Sequence, residues 1–255
     1  MLPRSRAVRS LAVAAVTASV LAAVAHPHDT TREVVRATST PSHVVVVMEE
    51  NHSYSDIIGN SSAPYLNSLA AQGASMTASF GVTHPSEPNY MALFGGDTFG
   101  LTADTCPVSE GATANLGSEL LAAGDTFKGY SEGLPSTGST VCTSGSYARK
   151  HSPWINFSNV PKADSVPFSS FPTDYSTLPT VSFVIPDLDD DMHDGTVAQG
   201  DTWLNDNLSS YATWAKSHNS LLIVTWDEDD YSESKPDPHA DRRCEHQPRP
   251  IQRDH

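Results

Sequence analysis

A chain of 255 residues, 38% of them apolar, has the length for one sizeable α/β domain with a real core. Thirty acidic residues against fifteen basic ones give a formal charge of −15. Such a surface repels nucleic acid and anionic membranes at long range, which argues against a nucleic-acid partner. An anionic substrate therefore needs a local positive feature, most simply a bound metal ion.

The chain opens with a basic stretch holding Arg4, Arg6 and Arg9, an apolar run from Leu11 to Val24, and the small-residue site Ala23-Val24-Ala25. That pattern reads as a secretory signal peptide over residues 1–25, too short in its apolar run for a spanning helix. A secreted, extracellular protein without a transmembrane anchor is the expectation. Residues 26–41 read as a linker and 42–230 as the catalytic domain. In an oxidising compartment Cys106 and Cys142 can pair and staple the loop-rich region between them, with Cys244 left over.

His43 to Met48 is a β-branched run, expected to be a strand buried on both faces of a parallel sheet. It ends in Glu49-Glu50-Asn51-His52-Ser53. Ser62 is placed to cap a helix from Ala63 to Gln72, closed by Gly73. Met76 to Phe80 reads as a short strand leading through Gly81 into Thr83-His84-Pro85-Ser86-Glu87-Pro88-Asn89-Tyr90. Pro88 suits the first turn of a helix, so Ser86 falls at a helix entrance, where free amides and the dipole favour an anion. Two jobs are open to Ser86 on this stretch alone: capping, the commoner one, or attack on phosphorus.

The Gly/Ser/Thr-rich region 95–145 contains one helix, Leu116 to Ala123, and Thr126 to Tyr130 can follow as a strand. Tyr147 to Trp154 carries the basic cluster Arg149-Lys150-His151, either a solvated loop or a phosphate clamp. Thr180 to Ile185 is a second buried strand and ends in the acidic run Asp187 to Asp194, which lacks calcium-loop spacing. Asp201 to Lys216 has one helical apolar face, with Trp203, Leu204, Leu208, Tyr211, Ala212 and Ala215. Leu221 to Trp226 is a third strand, running into Asp227-Glu228-Asp229-Asp230.

Strands alternating with helices imply an α/β fold with a mostly parallel central sheet flanked by helices. Ligands bind beyond the carboxyl ends of such strands. Here those ends carry Glu50-Asn51, the 187–194 loop and Asp227-Glu228, with Ser86 delivered from a fourth. Converging carboxylates call for a divalent cation. Hard oxygen donors favour magnesium, calcium or manganese, and the histidines keep zinc and iron open.

These motifs, in this order, resemble the bacterial phosphoesterase family of secreted acid phosphatases and phospholipases C, with an alkaline-phosphatase-like fold, from about His43 to Asp230. The HPSEPNY form and the short chain are more like the acid phosphatase branch, some of whose members act on phosphoinositides. The resemblance implies Ser86 as the nucleophile of a phosphoserine intermediate. It implies Glu50, Asn51, Asp227, Glu228 and Ser86 as metal ligands. Lys150, His84 and Asn89 are expected at the substrate phosphate, and His193 or His151 as the acid for the leaving alcohol. The expected partner is a phosphate-ester small molecule or a phospholipid headgroup; a phospholipase C-type diesterase and a non-catalytic truncated member are the alternatives. Oligomeric state has no signal in the sequence.

After Asp230 the family pattern breaks. Residues 231–255 are rich in Arg, His, Pro and Asp and almost free of apolar residues, so a disordered polar tail is expected. With permitted codons, 242–254 can be re-read one base along as a strand-like run and a Gly/Pro turn, which suggests a frameshift near codons 231 to 238.

Overall fold

The structure, a computed structural model, describes residues 40–231. The leader, most of the linker, and the tail from residue 232 with Cys244 and its alternative frame lie outside the described residues. The elements in order are β1 (His43–Glu49), α1 (Tyr54–Ile57), α2 (Pro64–Gln72), α3 (Ser86–Gly95), α4 (Leu116–Ala123) and β2 (Phe127–Ser131). There follow β3 (Thr143–Ser144), β4 (Tyr147–Ala148), β5 (Ser165–Pro167), β6 (Val181–Ile185), α5 (Val197–Ala215) and β7 (Ser220–Trp226).

Five strands form one parallel sheet in the order β5-β2-β6-β1-β7. β1 lies between β6 and β7, which pair with both its edges, and packed side chains cover both faces of the sheet. Val45 and Val47 join the core under α2 and α5 with Leu204, Leu208 and Tyr211. Met48 faces the opposite core, where Tyr90, Met91 and Phe94 of α3 meet Phe127, Trp154 and Phe183. Each such fully buried large side chain contributes ~1.5–3 kcal/mol. β3 and β4 make a separate antiparallel pair. β5 and this pair went unread in the sequence because each is only two or three residues long. Pro167 can close β5 because that strand is at the sheet edge. At the other edge, Leu221 and Ile223 of β7 are exposed, and no strand pairs beyond β7 among the described residues. Nor is any helix among them long and apolar enough to cross a membrane.

Three local expectations are corrected. Met76 to Phe80 is a loop, not a strand. Met76, Phe80 and Val82 are 73%, 58% and 68% exposed, so no buried face exists to favour extended pairing. Asn89 shapes the end of that loop, its Oδ1 accepting from the amides of Val82 and Thr83 at 2.9 Å each. Secondly, α5 begins four residues before Asp201 because Thr196 and Gln199 form a capping box.

Thirdly, Ser62 does not cap α2. Asp201 on α5 does so across the fold, accepting from the amides of Leu66 at 2.8 Å and Tyr65 at 3.1 Å. A buried carboxylate at two first-turn amides suits the helix dipole better than an exposed hydroxyl. Asp201→Ala is therefore expected to cost about 1–2 kcal/mol, read as a lower denaturant midpoint. Ser62→Ala should leave that midpoint unchanged.

Candidate active site

The carboxyl end of the sheet gathers the candidate side chains. β1 delivers Glu50 and Asn51, β7 delivers Asp227 and Glu228, and the loop after β6 delivers Asp191 and His193. A 3₁₀ turn after β4 supplies Arg149, Lys150 and His151. Ser86 comes from the loop before α3 and is the first residue of that helix, with Pro85 at the cap position. Its buried hydroxyl donates to Glu50 Oε2 at 2.9 Å, with Glu228 Oε1 at 3.4 Å. The hydroxyl is thus turned towards carboxylates rather than used as a helix cap.

One carboxylate oxygen each from Glu50, Asp227 and Glu228 lies within 4.8 Å of the others, and so do donor atoms of Glu50, His151 and Asp191. All five residues are buried. Burial, then the neighbouring charges of Asp227 and Asp191, pushes the Glu50 carboxyl well above its usual range. Burial also raises Asp227 to about 7, with Glu228 adding, and raises Asp191 to about 7. Asn51 Oδ1 and Asp227 Oδ2 are buried without a hydrogen-bond partner. Asn51 also holds a left-handed backbone at φ +51°, a strained conformation for a residue with a side chain. Orphaned hard oxygens among like charges are the surroundings a divalent cation satisfies. Magnesium, calcium or manganese fits this oxygen set, and His151 alongside keeps zinc and iron within reach.

His151 is enclosed, its ring stacked on Tyr90 at 4.8 Å. Its Nε2 lies 3.0 Å from Glu50 Oε1 and its Nδ1 3.3 Å from Asp191 Oδ2. Burial, with Lys150 and His193 adding, holds the imidazole well below the usual histidine range. A neutral ring has one N–H, so without a cation one of the flanking carboxyls must be protonated to donate to the other nitrogen. A buried neutral imidazole is poorly suited to act as an acid. His193 is more open, with its Nδ1 2.8 Å from Asp194 Oδ1. Its backbone amide donates to Asp191 Oδ1 at 2.8 Å.

The side chains expected at the phosphate have other engagements. Lys150 Nζ pairs with Asp104 Oδ2 at 2.8 Å, and Asp104 Oδ1 accepts from the amide of Glu87 in the first turn of α3 at 3.0 Å. Burial works to lower the Lys150 pKa, but the hydrogen bond and charge of Asp104 outweigh it and raise the pKa. Asp104 is itself an anion at the helix mouth, so a phosphate gains these two donors only by displacing it. Asn89 uses its amide on the 82–85 loop and on Glu228 Oε2 at 3.4 Å, which makes it a positioning residue rather than a free phosphate donor. His84 lies between Glu228 Oε2 at 2.8 Å and Asp229 Oδ1 at 3.0 Å, stacked on Tyr231. Arg149 points away and holds the carbonyls of Thr140 and Val108. That is a structural job beside the disulfide joining Cys106 to Cys142.

Comparison with known proteins identifies the family. A family model described as the phosphoesterase family matches residues 59–244. The chain belongs to the phosphoesterase family. This phosphoesterase is 61% identical over 233 residues to the phosphatidylinositol-3-phosphatase of Mycobacterium tuberculosis, covering 90% of this chain and 78% of that protein. It is 32% identical over 205 residues to an acid phosphatase of Aspergillus fumigatus, covering 72% of this chain and 44% of that one. It is 31% identical over 186 residues to a phosphate-repressible acid phosphatase of Penicillium chrysogenum, covering 65% and 43%. The chain thus spans less than half the length of both fungal relatives. The phosphoesterase is a phosphoric ester hydrolase.

Two residues of the candidate site were not singled out from the sequence. Asp191 opens the Asp191-Met192-His193-Asp194 motif that the family resemblance picks out, but no role was assigned to it among the several acids of the 187–194 run. In the fold, Met192 takes a left-handed φ of +77° and buries its side chain, which turns Asp191 inward beside His151. Asp104 carries no motif at all. Its proximity to Cys106 was the one available hint, because the disulfide draws that loop over the mouth of α3.

Proposed function

We propose that this phosphoesterase is an exported, metal-dependent phosphomonoesterase that acts through Ser86, with phosphoinositides among its substrates. The observation that carries the reading is the Ser86 hydroxyl donating to Glu50 inside the Glu50, Asp227 and Glu228 cluster. A divalent cation held by Glu50, Asn51, Asp227 and Glu228 would supply positive charge that favours the serine alkoxide and offsets the phosphoryl oxygens. Glu50 orients the hydroxyl and takes its proton as Ser86 attacks phosphorus in line and the bond from phosphorus to the alcohol oxygen breaks. His193, within reach of solvent and braced by Asp194, protonates the leaving alcohol. His151 holds Glu50 and Asp191 in place. Water then cleaves the phosphoserine. The signal-peptide pattern of residues 1–25 supports export, and the name of the mycobacterial relative supports a phosphoinositide substrate.

The test is phosphate release from p-nitrophenyl phosphate and from phosphatidylinositol 3-phosphate between about pH 5 and pH 8. Chelation is expected to abolish release of phosphate, and a divalent cation to restore it. His193→Ala should lower the rate on phosphatidylinositol 3-phosphate more than on p-nitrophenyl phosphate, whose leaving group needs little protonation. Full activity in excess chelator would overturn the metal requirement. Equal loss on both esters, or none, would overturn His193 as the acid.

A further inference from the structure

Ten large apolar or aromatic side chains are exposed among the described residues, and five of them border the candidate site: Tyr54, Met76, Phe80, Val82 and Tyr231. They come from three segments that run into it or out of it. Tyr54 opens α1, just after Asn51, and its hydroxyl is 3.5 Å from Ser75 Oγ. Met76, Phe80 and Val82 lie on the loop that delivers Ser86. Gly81 of that loop is pressed against the end of β7, where an added Cβ would stand 2.6 Å from the Asp227 carbonyl oxygen. Tyr231 stacks on His84 with ring centroids 3.8 Å apart. These contacts fasten the three segments to one another and to the site, so the five side chains gather at one border.

Single exposed apolar residues are ordinary, whereas a grouped set marks a surface that meets an apolar partner. The composition of the loop says which partner. In a chain that is 18% charged, no residue from Gly73 to Thr83 carries a charge. Its large side chains are a thioether, a phenyl ring and an isopropyl group, spaced by Ala, Ser, Thr and Gly. Such a loop projects apolar groups without charges that a protein partner could read. The two tyrosines, apolar in the ring and polar at the hydroxyl, suit the boundary of a bilayer. A formal charge of −15 opposes attraction to anionic lipid. Insertion of apolar side chains is therefore the mode of membrane contact open to this surface. Residues 232–255 carry one large aliphatic side chain, Ile251, and so cannot supply an apolar cover of matching size.

We propose that this border docks on a lipid bilayer with zwitterionic headgroups, Met76, Phe80 and Val82 entering it and Tyr54 and Tyr231 lying at headgroup level. The loop that enters lipid is the one that ends at Ser86, so docking holds a membrane-borne phosphate on the nucleophile's side of the molecule. The substrate class that follows is the headgroup phosphate of a lipid still seated in its bilayer. That last step rests on the phosphoinositide reading above, whereas docking itself is tested on vesicles that contain no substrate.

The chain from residue 26 onward keeps every described element and lacks the apolar leader, which would itself enter lipid. It would be sedimented with vesicles of pure phosphatidylcholine. Wild type is expected to travel with the vesicles, and Met76→Ser with Phe80→Ser to bind about tenfold more weakly or worse. Leu121→Ser with Val141→Ser removes exposed apolar side chains from other segments and should bind as wild type does. Phosphatidylserine mixed into the vesicles should weaken binding, because the protein surface is acidic. Wild type left in the supernatant overturns the proposal. So does equal loss in both double variants, the mark of general stickiness, and so does binding that grows with phosphatidylserine. Melting temperature gives a second check. Exposed side chains can become serine at little cost, so Met76→Ser with Phe80→Ser should melt where wild type melts. A clearly lower melting temperature would mean that another part of the chain or a second copy covers the loop, and would overturn the docking role. Protein that binds vesicles but hydrolyses neither ester would sink the phosphatase reading and leave docking in place.

Discussion

Ser86→Ala is expected to lower phosphate release by about a thousandfold or more while leaving the fold intact. The hydroxyl is buried at the first position of α3, and it makes one good hydrogen bond, to Glu50 Oε2 at 2.9 Å. The change removes one oxygen and no carbon skeleton beyond Cβ, so α3 keeps its apolar contacts through Tyr90, Met91 and Phe94. Melting temperature and metal content should both stay close to wild type. A nucleophile cannot be replaced by a methyl group, whereas a hydroxyl that only orients Glu50 could be spared at modest cost. Activity retained within about tenfold would therefore reassign Ser86 to positioning and require water as the attacking group. Trapping phosphate on Ser86 in the wild type at acidic pH, and its absence in the variant, separates the two roles.

The second large effect concerns stability and pH. Asp227 and Asp191 are raised to about 7, chiefly by burial, and Glu50 is raised well above its usual range by burial with Asp227 and Asp191. A carboxyl with a raised pKa in the folded protein holds its proton where the unfolded chain has already released it. Its stabilising contribution is complete below the ordinary carboxylate range, near pH 4, and is lost as pH rises towards 7. Metal-free protein should therefore melt at lower temperature at pH 7 than at pH 4.5. One such carboxylate corresponds to on the order of 4 kcal/mol, or a drop on the order of 10 °C for a domain of this size. A divalent cation reverses the sign, because it binds the ionised carboxylates and displaces their protons. Added cation should restore the melting temperature strongly at pH 7 and hardly at pH 4.5. Thermal melts of chelated and cation-loaded protein across this range check both statements. A metal-free melting temperature that climbs between pH 4.5 and 7 would show that the cluster is not repulsive.

Much of the fold was legible in the letters, because strands of a parallel sheet carry continuous apolar runs, even in the edge strand where Leu221 and Ile223 are exposed among the described residues. His43 to Met48, Thr180 to Ile185 and Leu221 to Trp226 each became a central or flanking strand of the parallel sheet. The apolar face read between Asp201 and Lys216 became the buried side of α5. Helix ends were less legible. The cap of α2 comes from Asp201, more than a hundred residues away, and local chemistry at Ser62 carries no trace of it. The Met76 to Phe80 segment had the letters of a strand and lacked the covered face that a strand requires.

The same division holds at the site. The sequence by itself determined the residues at the strand ends, since Glu50, Asn51, Asp227 and Glu228 follow directly from runs that must be strands. It also determined Ser86 at a helix entrance, since Pro88 admits few other readings. Only the tertiary structure decided what each side chain faces. It brought Glu50 to Ser86, turned Asp191 rather than its neighbours towards His151, and set Asp104 against the amide and the lysine expected to meet phosphate. It also buried Glu49 apart from Glu50, on the opposite side of the sheet. Consecutive residues of an extended chain point to opposite faces. Which face holds the chemistry depends on what packs there, α3 on one side and α5 on the other.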